Sequence, residues 1–187
     1  MFINPLLVTT LLSLGLLSFY YAYFFFKLNT YKSSTLNFNE PISIIVCAKN
    51  EFHNLKKKLS VILNQDYPNY EIIVVNDQSV DDTAVLLKEF KKQYHNLVVV
   101  TIEKHINKRP GKKFALTLGI KTAKHEHLLL TDADCLPNSK NWAMQMCSNF
   151  NSADIVLGYG GYEKKKGLLN TLRPSELDKM PIKCSSF

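Results

Sequence analysis

The chain has 187 residues and a formal net charge of +7, with 46% hydrophobic and 21% charged residues. This length fits one modest domain plus a short extra segment, and the composition excludes a chain that is disordered throughout. The basic residues do not indicate nucleic-acid binding, because lysine clusters are spread over several predicted helices and loops, at Lys56 to Lys58, Lys91 and Lys92, Lys112 and Lys113, and Lys164 to Lys166.

The first predicted element is an apolar helix at the N-terminus. The stretch from Pro5 to Phe26 carries no charge, and a helix of that length spans about 33 Å, enough to cross a bilayer core. Nothing basic precedes it and aromatic residues end it, which disfavours a cleaved signal peptide. The missing polar face disfavours a helix of a soluble protein. We therefore predict a transmembrane anchor over residues 1–27 that contacts the lipid bilayer.

Charged and cysteine residues suggest which side of the membrane the rest occupies. Lys27 and Lys32 follow the apolar stretch and no basic residue precedes it, so the positive-inside bias predicts a domain facing the cytoplasm. Exposed lysines would also be attracted to anionic lipid. The four cysteines form no CxxC pair, and we interpret them as packing residues in a reducing compartment rather than as zinc ligands or disulfides.

Residues 28–40 lack periodicity and predict a polar linker. Beyond them, short apolar runs predict strands, and continuous apolar strands are typical of a parallel sheet buried on both faces. The runs are residues 41–48, 71–75, 97–102, 127–130 and 154–160.

Helical patterns separate these runs. Each pattern places apolar residues on one face, and the predicted faces are Leu55, Leu59, Ile62 and Leu63; Ala84, Leu87, Phe90 and Tyr94; Leu116, Ile120 and Ala123; and, in a helix over about residues 139–150, Trp142, Met146 and Phe150. Alternating strands and helices predict an α/β domain with right-handed crossovers.

Polar residues gather where three predicted strands end, which is where open parallel sheets bind ligands. They are Ala48, Lys49, Asn50 and Glu51 after the first strand, Asn76, Asp77, Gln78 and Ser79 after the second, and Asp132, Ala133 and Asp134 after the fourth. We expect these residues to line one site.

Asp132 and Asp134 are two carboxylates separated by one residue. Mg²⁺ or Mn²⁺ prefers oxygen ligands and completes its shell with phosphates and water, so a divalent cation would relieve the repulsion between the two acids. The alternative is that one of them caps the following helix.

Two further motifs each have two interpretations. In "RPGKK" (109–113), Gly111 and Lys112 begin a helix whose positive end would suit a diphosphate, although a solvated basic loop fits as well. The spacing is not that of a P-loop. Ser79 and Asp82 fit a capping box, which makes Asp81 and Asp82 helix-start acids rather than catalytic groups.

Four segments, in this order, resemble the nucleotide-binding half of inverting family 2 glycosyltransferases: "PISIIVCAKNE", "NQDYPNYEIIVVNDQSVDDT", "GKKFALTLGIKTA" and "LLLTDADCLPNSKNW". The resemblance implies a GT-A fold, Rossmann-like with a mostly parallel sheet and flanking helices, over residues 41–163. It also implies a divalent metal ion and a nucleotide-diphosphate sugar.

The resemblance assigns roles to matching positions. Asp77 would contact the base, the loop of Ala48, Lys49, Asn50 and Glu51 would lie beside the nucleotide, Asp134 would ligate metal, and Asp132 would lie near the ribose or sugar and the metal. Asn76 and Lys49 stand where relatives frequently have Asp and Tyr, so both a UDP-sugar and a GDP-sugar remain open.

The resulting hypothesis is a glycosyltransferase of cell-envelope polysaccharide or glycolipid synthesis with a glycan or lipid-linked acceptor. The family's general base lies well downstream of the DxD pair, and Glu163, Glu176 and Asp178 do not match its setting, so we expect the base to be absent. The segment 164–187 loses periodicity, and we expect an irregular, truncated tail. The alternatives are an inactive membrane-tethered binding module and a sugar nucleotidyltransferase, for which "CAKNE" lacks the glycine-rich basic loop.

Overall fold

The computed structural model describes residues 4–29, 38–103, 111–158, 160–162 and 182–184. The chain divides into two compact units, Met1–Ser34 and Thr35–Phe187. The first unit contains α1 (Pro5–Asn29), and its segment Pro5–Lys27 is long and apolar enough to cross a membrane. None of that segment is buried against protein, as expected for a helix whose side chains contact lipid.

The second unit alternates strands and helices as the sequence predicts. Its elements are β1 (Ile42–Ala48), α2 (Phe52–Leu63), β2 (Tyr70–Asp77), α3 (Thr83–Gln93), β3 (Leu97–Ile102), α4 (Lys112–Thr122), β4 (His127–Asp132), β5 (Cys135–Pro137), α5 (Trp142–Cys147), a 3₁₀ helix (Ser148–Asn151), β6 (Gly160–Tyr162) and β7 (Ile182–Cys184).

The main sheet has the strand order β3-β2-β1-β4, and every pairing in it is parallel. The central strands β1 and β2 are buried almost throughout, whereas β3 and β4 are half-buried because each has a neighbour on one side only among the described strands. This confirms the predicted α/β class with a parallel sheet. A second sheet, of order β5-β7-β6, contains short strands only.

Helices cover both faces of the main sheet. On one face, side chains of α2, α3 and α5 pack on β1 residues such as Ile44, and the fully buried Trp142 lies in this layer. On the other face, α4 packs through Ala115 against Ile45 and Val75. The sheet is therefore a central layer whose carboxyl edge remains available for a site.

Several predicted elements differ from the observed ones. The predicted strand at residues 154–160 is wrong, since the regular strand β6 begins at Gly160, and Ile155 and Leu157 are 79% and 92% exposed. Helix α4 buries Ala115 and Gly119, because small residues allow the helix to approach the sheet closely. Of its predicted face, Leu116 and Ala123 are partly buried against the same layer, whereas Ile120 is 41% exposed.

The cysteines depart from expectation. The segment 164–187, predicted to be irregular, lies outside the described residues except for β7, which pairs with β5 and places Cys184 opposite Cys135. Cys135 is disulfide-bonded, so the interpretation of all four cysteines as packing residues is wrong. Cys47 and Cys147 are free, and burial raises the pKa of Cys147 to about 12.

Replacing Gly119 by Ala is expected to destabilise the domain. A Cβ at this position would lie 2.7 Å from Cγ2 of Ile45 and 3.1 Å from Cγ2 of Val75. Overpacking of this kind costs about 1–3 kcal/mol, which outweighs the gain of about 1 kcal/mol in helix propensity. The fluorescence of Trp142, the single tryptophan, would report unfolding in urea. The exposed change Lys121→Ala is the control, and a Gly119→Ala protein as stable as the wild type would contradict the packing account.

Candidate functional site

A cleft of about 330 Å³ opens at the carboxyl edge of the main sheet. It is lined by Cys47, Ala48, Lys49, Glu51, Asp77, Gly111, Lys112, Ala115, Asp132, Ala133 and Asp134. The lining contains most of the predicted site residues, but not Asn50, Asn76, Gln78 or Ser79. Cys47 was not among the predicted site residues, and partial burial of its thiol raises its pKa.

The strand register brings these residues together. Ala48 pairs with Asn76 of β2, and Cys47 pairs with Asp132 of β4. Since β1 lies between β2 and β4, the residues that follow all three strands meet at one edge. Asp77 and the Asp132–Asp134 turn are thereby placed on either side of the loop after Ala48.

Asp132 forms an ion pair across the cleft. Lys112 Nζ lies 2.7 Å from Asp132 Oδ1, with the side chains 70% and 50% exposed. The hydrogen bond to Asp132 raises the pKa of Lys112, although partial burial opposes the shift. Lys112 begins α4, so the positive helix end and a lysine ammonium both face the acidic turn.

Of the two acids of the DxD motif, Asp132 ends β4 and Asp134 lies in the turn between β4 and β5. They do not cap a helix, because the next helix, α5, begins at Trp142 with Asn141 as its N-cap. Capping therefore does not explain why β4 and the turn after it carry two carboxylates.

The donor atoms in this turn fit a hard divalent cation. One ligand atom from each of Asp132, Asp134 and Cys135 lies within 4.8 Å of the others. The disulfide removes Cys135 as a thiolate ligand, which leaves two carboxylates. Carboxylate oxygens suit Mg²⁺ or Mn²⁺, and both ions commonly retain positions for water and phosphate.

Asp77 presents a buried carboxylate to the cleft. It is 4% exposed, and its Oδ1 accepts no hydrogen bond from the described residues. A buried carboxylate oxygen without a donor is costly, so a ligand that supplies an N–H or O–H group would relieve the cost.

The loop after β1 is held by the loop after β2. Asn50, which has φ of 56°, receives a hydrogen bond at Oδ1 from Val80 N–H (2.8 Å) and donates its own N–H to Ser79 Oγ (2.9 Å). Glu51 N–H donates to Thr83 Oγ1 (3.1 Å). Asn50 therefore shapes the cleft from outside its lining.

Asp81 joins the starts of two helices. It accepts hydrogen bonds from Phe52 N–H (3.2 Å), at the start of α2, and from Thr83 N–H (3.2 Å), at the start of α3. Partial burial acts to raise the pKa of Asp81, but these bonds and one from the Thr83 hydroxyl lower it overall. The predicted capping box is wrong. Ser79 Oγ accepts its hydrogen bond from Asn50 N–H, and Asp82, which is the N-cap of α3, makes no side-chain capping bond.

Lys58 was predicted to be a solvated lysine, but it contacts the site from the core. Lys58 is 6% exposed, and its Nζ donates to the main-chain oxygen of Asp134 at 2.5 Å. The signal was its position on the apolar stripe of α2, three residues after Leu55 and four before Ile62.

Residues 43–179 match the family described as glycosyl transferase family 2. The chain belongs to this family. It is 41% identical over 95 residues to a poly-β-1,6-N-acetyl-D-glucosamine synthase of Staphylococcus epidermidis, covering 51% of this chain and 22% of the relative. It is 36% identical over 122 residues to a poly(ribitol-phosphate) β-glucosyltransferase of Bacillus spizizenii, covering 63% and 18%.

A third relative is also a glycosyltransferase. Glycosyltransferase AglE of Haloferax volcanii is 31% identical over 133 residues, covering 70% of this chain and 41% of the relative. The chain thus spans well under half the length of these relatives.

A mannosyltransferase of Pyrobaculum calidifontis, solved in complex with GDP-Man and Mn²⁺, superposes with a TM-score of 0.60 at 24% identity, covering 79% of this chain and 43% of that one. Residues 1–349 of Staphylococcus aureus TarS, solved in complex with UDP-GlcNAc, give a TM-score of 0.53 at 24% identity, covering 74% and 38%. These likenesses show that the fold is GT-A.

Replacing Asp81 by Ala should loosen the two loops beside the cleft. The change removes the acceptor for Phe52 N–H and Thr83 N–H, and loss of a capping acceptor costs about 1 kcal/mol. Asp82→Ala is the matched control, since Asp82 makes no capping bond. Urea unfolding of both variants, followed by Trp142 fluorescence, measures the difference.

The effect of Asp81 should depend on pH in one direction. Folding lowers the pKa of Asp81. The stabilisation of the folded protein by Asp81 is therefore complete above the pKa of the unfolded state, about 3.9, and is lost as the pH falls through the pKa of the folded state. Equal stabilities of Asp81→Ala and Asp82→Ala at pH 7 would contradict this role.

Proposed function

We propose that the chain binds a nucleotide-diphosphate sugar in the cleft and is the donor-binding part of a glycosyltransferase. The observation that carries the proposal is the convergence of Asp77, Lys112 and the Asp132–Asp134 turn on one cleft at the carboxyl edge of the sheet. Asp77 offers a buried acceptor, Lys112 a cation, and the turn two metal-binding carboxylates. These three chemistries match a nucleobase, a diphosphate and a divalent ion.

The base and the sugar would occupy opposite ends of the cleft. Asp77 would accept a hydrogen bond from the base, because its buried Oδ1 lacks a protein donor among the described residues. Ala48, Lys49 and Glu51 would lie beside the nucleoside, while Asn50 fixes their loop. Asp132 and Asp134 would lie toward the ribose, the diphosphate and the sugar.

A bound Mg²⁺ or Mn²⁺ would be held by Asp134 and Asp132 and would stabilise the negative charge that develops on the departing nucleoside diphosphate. Lys112 would contribute to the same stabilisation from the N-terminus of α4. Lys112 pairs with Asp132 in this structure. When the metal ion binds Asp132 in place of the Lys112 ammonium, Lys112 would become available to the diphosphate.

The names of similar proteins support sugar transfer in cell-envelope synthesis. The relatives make poly-β-1,6-N-acetyl-D-glucosamine or glucosylate poly(ribitol phosphate), and the solved neighbours hold GDP-Man or UDP-GlcNAc. We therefore propose a UDP- or GDP-sugar as donor and a glycan or lipid-linked acceptor. Inverting transfer also requires a general base, and the downstream acids Glu163, Glu176 and Asp178 lie outside the described residues.

Calorimetric titration with UDP, GDP and their sugar conjugates, with and without Mn²⁺, tests donor binding. The wild-type chain should bind one nucleotide class tightly only when Mn²⁺ is present. Asp134→Ala should weaken that binding at least tenfold because it removes a metal ligand, whereas Asp154→Ala, which removes an exposed acid outside the cleft lining, should leave it unchanged. Metal-independent binding, or equal binding by Asp134→Ala, would contradict a metal-assisted donor site.

We also propose that α1 spans the membrane with the following domain in the cytoplasm. The apolar span and the basic residues that follow it, Lys27 and Lys32, support this orientation. Protease added to sealed, right-side-out vesicles should leave a C-terminal epitope intact and should remove it after lysis. Digestion in sealed vesicles would show the opposite orientation and would contradict the proposal.

A further inference from the structure

Lys58 carries a positive charge into the core beneath the acidic turn. It lies on the buried stripe of α2 with Leu55 and Ile62, and it is 6% exposed. Burying an ammonium group is costly unless hydrogen bonds replace its hydration. Here its Nζ donates to the main-chain oxygen of Asp134 at 2.5 Å, so a buried cation is aimed at the backbone of the DxD turn.

The segment that directly follows α2 holds the chain that leaves this turn. The amide of Gln65 donates to Ser139 O (3.4 Å) and accepts from Ala143 N–H (3.1 Å), and Asp66 N–H donates to Lys140 O (2.8 Å). These bonds join the C-terminal end of α2 to the start of α5. Lys58 is the member of this set that reaches the candidate metal ligands themselves.

We propose that Lys58 is a positioning residue for the metal site, fixing the peptide of Asp134 from the core side so that the Asp134 carboxylate is preorganised for the cation. The proposal rests on the proposed function, because it presupposes that Asp134 binds metal. A bond to the main-chain oxygen restrains the backbone that carries the carboxylate. Partners that orient metal ligands in this way typically contribute 10–100-fold in metal affinity.

Electrostatics alone predicts the opposite effect, and this makes the inference testable. A buried ammonium near the turn repels an incoming Mn²⁺, so removing its charge without any loss of positioning would strengthen metal binding. If Lys58 positions Asp134, removing it should weaken metal binding instead. The sign of the change therefore separates the two roles.

The experiment compares Lys58→Met with Lys57→Met in the full chain in detergent micelles. Both variants lose one positive charge from α2, but Lys57 is exposed and Lys58 is buried. Free Mn²⁺ would be measured by electron paramagnetic resonance in the presence of UDP or GDP, whichever the wild type binds. We expect at least tenfold weaker Mn²⁺ binding for Lys58→Met, less than twofold change for Lys57→Met, and retained cooperative unfolding by Trp142 fluorescence in both.

Mn²⁺ binding by Lys58→Met that equals or exceeds that of the wild type would overturn the positioning role while leaving the donor site intact. Absence of Mn²⁺ binding by the wild type with either nucleotide would overturn the proposed function, and this inference with it. If Lys58→Met does not fold, Lys58→Leu, which is apolar and shorter, takes its place with the same two outcomes.

Discussion

The parallel pairing of β1 with β2 on one side and β4 on the other is the constraint on which the site depends. It sets Ala48 beside Asn76 and Cys47 beside Asp132, so the polar residues that follow three separate strands meet at one edge. The strands themselves are apolar and nearly fully buried at the centre of the sheet. The hydrophobic core thus determines where the charged groups lie, although it contains almost none of them.

The acidic turn at this edge is approached from both faces of the sheet. From one face, α2 directs the buried Lys58 to the backbone of Asp134. From the other face, α4 packs closely enough through Gly119 to bring Lys112 within 2.7 Å of Asp132. Two lysines therefore accompany two carboxylates, one acting on the main chain and one on a side chain. This arrangement holds together acids that would otherwise repel each other.

The apolar runs and their polar ends predicted most of the fold and the site. Continuous burial of β1 and β2 has a direct signature in sequence, and acids that directly follow such runs must lie at the sheet edge. The predictions were wrong where tertiary contacts determine whether a segment forms regular structure. The apolar run at residues 154–160 is exposed over Ile155 and Leu157, since an apolar run does not specify whether a neighbouring strand is present.

The other wrong predictions also concern features that tertiary contacts determine. Helix α4 uses Gly119 rather than Ile120 against the sheet because closeness of approach, and not hydrophobicity, determines the buried face. Ser79 binds Asn50 across two loops, and a local capping pattern cannot predict a partner 29 residues away. The spacing of Lys58 from Leu55 and Ile62 indicates the buried face of α2. We assigned Lys58 to the solvent because lysine is usually exposed, and this prediction was wrong.

The most direct test of the account is a crystal structure of the chain with Mn²⁺ and the nucleoside diphosphate that it binds, with the metal located by its anomalous scattering. We predict an anomalous peak that marks a Mn²⁺ ion coordinated by Asp134 and the diphosphate, with the Lys112 ammonium moved from Asp132 to a phosphate oxygen. A nucleotide bound with Lys112 still paired to Asp132, and no metal at the turn, would contradict it.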